Sequence, residues 1–331
     1  MIGSHEGTAP STVRISSALT SNVRTAAVAR SEFFEQPVPR RFVHRASVAE
    51  VLITGFAADA APDTFLLAAQ WPRGHSLYRT VRGLHDPLLL AESVRQAGLM
   101  ISHVGYQAPL AHSSIMRNMA YDVSAAGLAC EGTPTNLILS ATCKDVRFRK
   151  DTLLGFQIIA ALRRGLLLET VGIGTGEIQC VSPAAYRRLR GGAVATPDTP
   201  PAVLPEPVSP VLVGKDIRAD VVLTRTEAEN TWLLRCDTSH PVLFDHPVDH
   251  VPGMVLIEAM RQAAHCAVYP RYSAMTRFAT KFERYAELNL PTVVRAFPEG
   301  EDADGSVRVR VELSQDAHPV AVGWCVCRNM P

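Results

Sequence analysis

Apolar residues fill two segments of the chain almost without interruption, and these segments predict two buried helices. Segment 249–264 reads DHVPGMVLIEAMRQAA, a Pro-Gly helix start followed by residues that are apolar on nearly every side. A helix that is apolar all round lies inside a protein rather than on its surface. Segment 86–97, DPLLLAESVRQA, repeats the pattern and begins with a capping aspartate and a proline. The two segments therefore predict equivalent helices.

Three polar residues interrupt each predicted helix at the same positions. They are Glu92, Arg95 and Gln96 in the first helix, and Glu258, Arg261 and Gln262 in the second. At about 100° per residue, the three members of each trio share one face of their helix. The trio recurs 166 residues later within the same apolar surroundings. We therefore interpret the chain as an internal duplication.

A charged residue in an apolar helix needs a partner or a function, because burying a lone charge costs several kcal/mol. One interpretation is a structural Glu-Arg ion pair at i, i+3 in each helix. The other is chemical, since the free N–H group of Gly253 at the start of the second helix can polarise a carbonyl oxygen. The aligned residue in the first helix is Pro87, which has no N–H group. The two repeats therefore cannot be chemically equivalent.

The rest of the chain predicts strands and their boundaries. We expect a flexible tail, a first repeat, a proline-rich linker and a second repeat at residues 1–36, 37–190, 191–210 and 211–331. Runs of β-branched and apolar residues predict strands at 64–71, 113–123, 137–148, 154–162, 166–180, 219–226 and 231–236, with more strands after the second helix. One long helix followed by antiparallel strands indicates an α+β fold in which a sheet wraps a helix.

Composition and charge narrow the function classes. The chain has 331 residues, of which 47% are hydrophobic and 20% charged, with a net charge of +1. These values are typical of a soluble globular enzyme and give no indication of nucleic acid or membrane binding. Seven cysteines without CxxC or zinc-finger spacing predict free thiols, no metal site and a reducing, cytoplasmic location.

Four phrases of the sequence, in order, resemble the AfsA family of A-factor (γ-butyrolactone) biosynthesis proteins. The phrases are VHRASVAEVLITGF, LHDPLLLAESVRQAG, GTGEIQCVSPAAYRRLRG and FDHPVDHVPGMVLIEAMRQAA, and they span residues 43–264. The second helix, with its Pro-Gly start and E-A-x-x-Q phrase, also resembles hotdog-fold dehydratases and thioesterases. The resemblance implies a double hotdog fold: two tandem repeats, each with an antiparallel sheet wrapped round a central helix.

The same resemblance implies an activity. This is the transfer of a β-ketoacyl group from acyl carrier protein to dihydroxyacetone phosphate, giving an ester that cyclises to a butenolide phosphate in γ-butyrolactone or furan-type signal biosynthesis. No cofactor, metal, nucleic acid or membrane is implied, and a homo-oligomer is left open. One alternative is a hotdog acyl-thioester hydrolase or dehydratase. Another is a non-catalytic regulator that binds an acyl ligand, although the sequence shows no helix-turn-helix phrase.

Acyl transfer to an alcohol needs a base, an oxyanion donor and cations for the phosphate. The candidate catalytic residues are Glu92, Arg261, Glu258 and Gly253, and the candidate substrate-binding residues are Arg95, Gln96, Gln262 and His246. We expect one composite site between the repeats, with Gly253 and Arg261 at the thioester carbonyl and Glu92 as the base. Dehydratases of this fold carry a histidine fourteen residues before the helix carboxylate, where this chain has Phe244. The dehydratase mechanism is therefore disfavoured.

Overall fold

The first repeat surrounds one long helix with strands. In the computed structural model, which describes residues 31–165, 168–191, 204–271 and 273–329, its strands are β1 (Ile53–Ala58), β2 (Thr64–Trp71), β3 (Ser113–Val123), β4 (Thr135–Arg149), β5 (Thr152–Arg164) and β6 (Glu169–Val181). The central helix α1 (Leu88–Met100) continues into a π-helical turn, and the short helix α2 (Pro183–Leu189) follows β6. The predicted tail up to residue 30 and the linker residues 192–203 lie outside the described residues.

The second repeat has the same order of elements. Its strands are β7 (Leu223–Arg225), β8 (Thr231–Leu234), β9 (Ser273–Phe282), β10 (Val293–Glu301), β11 (Val307–Gln315) and β12 (His318–Asn329), and its central helix is α3 (Gly253–Val268). Each repeat has a short 3₁₀ turn before its first strand, Val48–Glu50 and Arg218–Asp220. None of the helices in the described ranges is long and apolar enough to cross a bilayer.

All twelve strands form one antiparallel sheet whose order reads alike from both ends. The order is β1-β2-β4-β5-β6-β3-β9-β12-β11-β10-β8-β7. The repeats join where β3 pairs with β9, from Asn118 opposite Lys281 to Asp122 opposite Arg277. This pairing satisfies the backbone groups that each repeat alone would expose at an edge strand. The double hotdog fold predicted from the sequence is confirmed.

Both central helices are buried, as their apolar pattern predicted. In α1 every residue except Arg95 is buried. The observed boundaries lie close to the prediction: α1 begins at Leu88, one residue after the proline predicted to start it, and α3 ends at Val268, where the helix was expected to end at about Tyr269. The strand predicted at 219–226 is shorter, because the Asp220 carbonyl and a neighbouring N–H group bind the helix rather than another strand.

Candidate active site

The glutamate of α1 is held by two arginines and the glutamine of its trio. Glu92 accepts hydrogen bonds from Arg95 Nε at 2.8 Å and Nη2 at 2.7 Å. Arg45, which lies outside the helix, places Nη2 2.7 Å from Glu92 Oε1. Gln96 Nε2 donates to the same oxygen at 2.6 Å. The carboxylate is therefore fully engaged within the protein.

The glutamate of α3 has matching partners. Glu258 accepts from Arg261 Nη2 at 2.5 Å and Nε at 3.1 Å, and from Gln262 Nε2 at 2.6 Å. Lys215 Nζ lies 3.3 Å from Glu258 Oε1, in the place that Arg45 takes in the first repeat. The duplication thus includes the cation before the first strand as well as the helix trio.

Neither glutamate is set up as a proton acceptor at neutral pH. Burial alone would raise the pKa of Glu92, but the charges of Arg45 and Arg95 outweigh it and hold the pKa at about 2. In the other repeat, Arg261 and Lys215 likewise outweigh burial and hold the pKa of Glu258 at about 2. Both groups are ionised and buried, so their contacts favour a positioning role rather than general base catalysis.

The glutamines fasten each helix to the segment before the first strand of its repeat. Gln96 Nε2 donates to the Glu50 carbonyl at 2.7 Å, and its Oε1 accepts from the Leu52 N–H group at 2.8 Å. Gln262 makes the equivalent pair of bonds to the backbone of Asp220 and Val222, at 2.8 and 2.9 Å. Both glutamines are fully buried. Their observed contacts are structural.

A large cavity of about 670 Å³ lies between the start of α3 and the side of α1 that carries Arg95. Gly253 and Arg95 both line it. Buried apolar side chains form one wall: Leu99, Met119, Ile178, Leu256 and Ile257. The polar lining includes His44, Arg117, His246, His250 and Arg284. Such a division suits a ligand that has an apolar chain and a charged head.

The start of α3 presents unused hydrogen-bond donors to the large cavity. No side chain caps the helix, and the N–H groups of Gly253 and Met254 have no acceptor within the described residues. The first N–H group with a helical partner is that of Val255, which donates to Pro252 at 2.9 Å. Free N–H groups and the helix dipole both favour an oxygen that carries negative charge.

A small pocket of about 60 Å³ occupies the equivalent place at the start of α1. Its lining includes Asp86, Pro87 and Arg261. The Asp86 carboxylate accepts the N–H group of Leu88 at 2.9 Å and so caps its own helix. Burial would lower the pKa of Arg261, but the charges of Glu258 and Asp86 raise it. The lining also includes the apolar side chains of Val81, Leu84 and Leu128.

The structure brings together Gly253, Arg95 and His246, but it separates them from Arg261. The expectation that Arg261 acts at the Gly253 end is wrong, because Arg261 lines the small pocket. Eight residues of helix separate Gly253 from Arg261, or about 12 Å at 1.5 Å per residue. The antiparallel arrangement of the repeats places the start of each helix beside the trio of the other helix instead.

Sequence reasoning overlooked the segment before β1. Arg45 and Lys215 stand in a pattern, V-x-(R/K)-x-x-x-A-(E/D)-V, that recurs 170 residues apart in the printed sequence. This repeat could have identified both cations. Asp245 fastens the segment to the second repeat, because its carboxylate accepts the N–H groups of Ala46 at 2.6 Å and Ser47 at 3.0 Å. The cavity wall is therefore built from both repeats.

A second polar network supports the opposite wall. Asp249 accepts from Tyr186 Oη at 2.8 Å and from Arg190 Nε at 3.1 Å, and its Oδ1 lies 2.7 Å from His250 Nδ1. Arg190 also forms a paired contact with Glu287, with both distances 2.7 Å. These bonds fix α2 against the loop before α3. The loop that leads into Gly253 is thus held in place.

The double hotdog fold and the large cavity at the start of α3 place the protein in the class of hotdog-fold proteins. The chain matches the A-factor biosynthesis hotdog domain over residues 26–182 and 197–331, and it belongs to that family.

Relatives with assigned names support the same grouping. A 2-oxo-3-(phosphooxy)propyl 3-oxoalkanoate synthase of Streptomyces virginiae is 41% identical over 84% of this chain and 93% of its own length. A protein of the same name from Streptomyces coelicolor is 36% identical over 85% of this chain and 88% of its own length. Among solved structures, an oleoyl thioesterase described from Lactobacillus plantarum aligns over 80% of this chain and 96% of its own, with a TM-score of 0.51 and 13% identity. This last likeness shows the fold alone.

Proposed function

We propose that the protein is an acyltransferase that joins a 3-oxoacyl group, delivered as a thioester on acyl carrier protein, to dihydroxyacetone phosphate. The relatives' name describes the product of this reaction, an ester between a 3-oxoalkanoic acid and the free hydroxyl group of dihydroxyacetone phosphate. The observation that carries the proposal is the large cavity, in which an apolar wall, arginines and a free helix start meet.

The acyl chain and the reacting carbonyl take different parts of this cavity. The buried wall that includes Met119, Ile178 and Ile257 accepts the acyl chain. The thioester carbonyl then lies at the start of α3, where the N–H groups of Gly253 and Met254 stabilise the developing oxyanion. A Cβ atom at Gly253 would lie 3.5 Å from Phe282, in ordinary van der Waals contact, so the Phe282 ring lies beside the helix start.

The small pocket supports this placement of negative charge. There the Asp86 carboxylate lies at a helix start, binds the Leu88 N–H group and shares the pocket with Arg261. The residue aligned with Asp86 in the second repeat is Pro252, so the large cavity has no carboxylate of its own in this place. A substrate oxygen with negative charge can take that position, between the helix start and Arg95.

Two further arginines suit the phosphate group of the acceptor. Arg117 and Arg284 line the large cavity, and no carboxylate of the described chain lies within 4 Å of either. Arg95 is a third cation on the cavity surface, with its side chain 21% exposed. Arginine binds phosphate through paired, charge-assisted hydrogen bonds. In this arrangement Glu92 holds Arg45 and Arg95 in position and does not itself take the proton.

The product has a direct chemical outcome. The methylene group between the two carbonyl groups of the 3-oxoacyl ester is acidic, and it can attack the ketone carbon of the triose phosphate. Closure gives a five-membered lactone ring, and loss of water gives a butenolide phosphate. The proposed transfer therefore supplies the intermediate from which γ-butyrolactone or furan-type signalling molecules can be made.

A product assay tests the proposal. The protein is incubated with a 3-oxoacyl thioester of acyl carrier protein, either alone, with dihydroxyacetone phosphate or with dihydroxyacetone, and products are identified by mass spectrometry. We expect ester only with the phosphorylated acceptor, and a strong loss of that preference in the Arg117→Ala, Arg284→Ala double variant. Equal rates with both acceptors would contradict the phosphate site. Thioester loss without an acceptor would indicate a hydrolase, and binding without turnover a regulator.

A further inference from the structure

A pair of histidines lies beside the large cavity and has no role in the contacts described so far. His44 Nε2 lies 2.8 Å from His103 Nε2, and His103 Nδ1 lies 2.9 Å from the carbonyl oxygen of Ala108. His44 lines the cavity, whereas His103 is buried behind it at 7% exposure. The chain of contacts therefore runs from the protein interior to the cavity surface.

These contacts assign the tautomers of both rings. A carbonyl oxygen can only accept, so His103 Nδ1 carries a proton and donates it to Ala108. When His103 is uncharged, its Nε2 atom is an acceptor, and His44 donates its own Nε2–H group to it. This assignment from the hydrogen-bond network leaves His44 Nδ1 without a proton. A histidine whose second nitrogen is oriented by another group has the arrangement expected of a general base.

The free nitrogen of His44 is accessible. Within the described chain, His44 Nδ1 makes no hydrogen bond, and it is not one of the buried polar atoms that lack a partner. It therefore retains some solvent-accessible area, in a residue that lines the large cavity. The ring is held in place from one side by His103, at a centroid distance of 4.9 Å, and the adjacent Arg45 is tied to Glu92.

The surroundings keep His44 neutral. Burial is the largest effect that lowers its pKa, and the positive charge of Arg95 lowers it further, to about 4. At neutral pH the ring is therefore uncharged and able to accept a proton. A phosphate dianion bound beside Arg95 would offset the cations and raise this pKa towards the working pH, where a base is most effective.

The backbone gives a second, independent indication. His44 has a φ of 50°, in the left-handed region that side chains with a Cβ atom rarely adopt. The equivalent residue of the other repeat, one position before Lys215, is Gly214, with a φ of 64°. The small pocket thus has the residue that suits this conformation, and the large cavity has a histidine in spite of it. Strain of this kind concentrates at functional sites.

We propose that His44 is the general base of the acyl transfer and that His103 is its positioning residue; this inference rests on the proposed function. His44 Nδ1 takes the proton from the acceptor hydroxyl group while the hydroxyl oxygen bonds to the thioester carbonyl carbon. The resulting oxyanion forms at the start of α3. When the carbon–sulfur bond breaks, the thiolate takes the proton from His44 and leaves as the thiol of the carrier. The reaction converts a thioester and an alcohol into an ester and a thiol.

The first experiment replaces His44 by residues that suit its backbone. His44→Gly reproduces the residue of the other repeat, and His44→Asn keeps a polar group that tolerates the left-handed region. We expect kcat for ester formation to fall by about 10² or more in both, as for loss of a general base. KM values and melting temperatures should change little. Added imidazole should restore part of the rate in His44→Gly alone, and the control His318→Asn, at the exposed start of β12, should match the wild type.

Variants of His103 test its positioning role. His103→Gln keeps both an acceptor for His44 and a donor for Ala108, whereas His103→Phe keeps neither. We expect His103→Phe to lower kcat by about 10-fold and to shift the acid limb of the pH–rate profile, and His103→Gln to restore most of the rate. If both variants lost kcat only in proportion to the loss of folded protein, the positioning role would be overturned.

Nitrogen-15 NMR of histidine-labelled protein separates this proposal from the proposed function. We expect His44 to carry its proton on Nε2 and to remain neutral at pH 6. Wild-type activity in both His44 variants, or a proton on Nδ1, would overturn the base while leaving the transferase intact. If the wild type formed no ester, the transferase assignment would fail. In that case the tautomer of His44 and the rate of thioester hydrolysis in the His44 variants would still test its role as a base, because the same nitrogen would activate water.

Discussion

The large cavity and the small pocket descend from the same pattern of residues but differ in charge and space. At the large cavity, Glu92 faces Arg45 and Arg95, and the neighbouring helix start has no carboxylate. At the small pocket, two cations face both Glu258 and a second carboxylate, that of Asp86. The large cavity has a volume of about 670 Å³ and the small pocket about 60 Å³, so the site without a carboxylate at its helix start is also the one with more space. One place is open to an anion, and the other contains its own.

This comparison shows which parts of the duplicated pattern support the fold and which support the site. The glutamate, the cation before the first strand and the glutamine make the same contacts in both repeats. The helix start and the residue before that cation differ between the repeats, as Gly253 against Pro87 and His44 against Gly214. The shared residues maintain the fold, and the divergent residues define the chemistry that we propose.

Replacing the first residues of α3 by those that start α1 should have the largest effect on activity. The double variant Pro252→Asp, Gly253→Pro removes one N–H donor and adds a carboxylate that would occupy the anion position. We expect ester formation to fall by about 10³ or more, the effect of losing an oxyanion donor combined with charge repulsion. The reciprocal change at Asp86 and Pro87 should leave activity per folded molecule unchanged. Activity in the first variant within 10-fold of wild type would contradict the proposed oxyanion position.

Replacing each trio arginine by alanine should separate catalysis from stability. Arg95→Ala should lower kcat/KM by about 10², because it removes a cation from the substrate cavity. Arg261→Ala should instead lower the free energy of unfolding by about 3 kcal/mol, since it removes a buried partner of Glu258. Activity per folded molecule should remain in that variant. Steady-state kinetics and chemical denaturation of both variants check this prediction. A loss of activity in Arg261→Ala together with a loss of stability alone in Arg95→Ala would place the reaction in the small pocket instead.

Gln96 and Gln262 should contribute equally to the stability of the two repeats. Gln96→Ala and Gln262→Ala each leave a buried carbonyl and a buried N–H group without their partners. We expect each to lower the free energy of unfolding by about 1–3 kcal/mol, with the two values similar. Denaturant titration measures both. A large loss of activity in Gln96→Ala at full folding would instead support a direct role of this residue with substrate.

Acidification should lower the free energy of unfolding over several pH units. The pKa values of His44, His85 and His265 are lowered to about 4, mainly by burial. Between pH 6.5 and 4 the unfolded chain therefore binds more protons than the folded chain, so the free energy of unfolding falls as pH falls. Below pH 4.5, protonation of Glu92 and Glu258 removes further stability.

Denaturation at a series of pH values tests this dependence. Stability should be nearly constant above about pH 7 and should decline from about pH 6.5 downwards. The variant His265→Leu adopts the residue that Leu99 supplies in the first repeat, and it should show a shallower decline. A profile that is flat to pH 4, or steeper in the variant, would contradict the assigned histidine shifts.

The sequence by itself determined the duplication, the two buried helices, the family and the double hotdog fold. Each of these depends on patterns that are local in the chain: apolar periodicity, the repeated trio and short phrases. It also indicated that the repeats are chemically unequal, because Gly253 and Pro87 differ in having an N–H group. The predicted composite site joined Gly253 and Arg261 with Glu92 of the other repeat; of these three residues only Gly253 lines the large cavity, and the first-repeat trio contributes Arg95 to it.

Only the tertiary structure decided which side chains meet. Arg261 follows Gly253 along one helix, but the axial rise of the helix separates them, and the pairing of β3 with β9 brings Arg95 to the Gly253 end instead. The tautomer that we propose for His44 depends on a contact with His103, 59 residues away in the chain. The ionisation of Glu92 depends on Arg45, 47 residues away. The last two contacts form within the first repeat, between segments that are distant in the chain; the repeated pattern around Arg45 identifies the cation but not the group that it contacts.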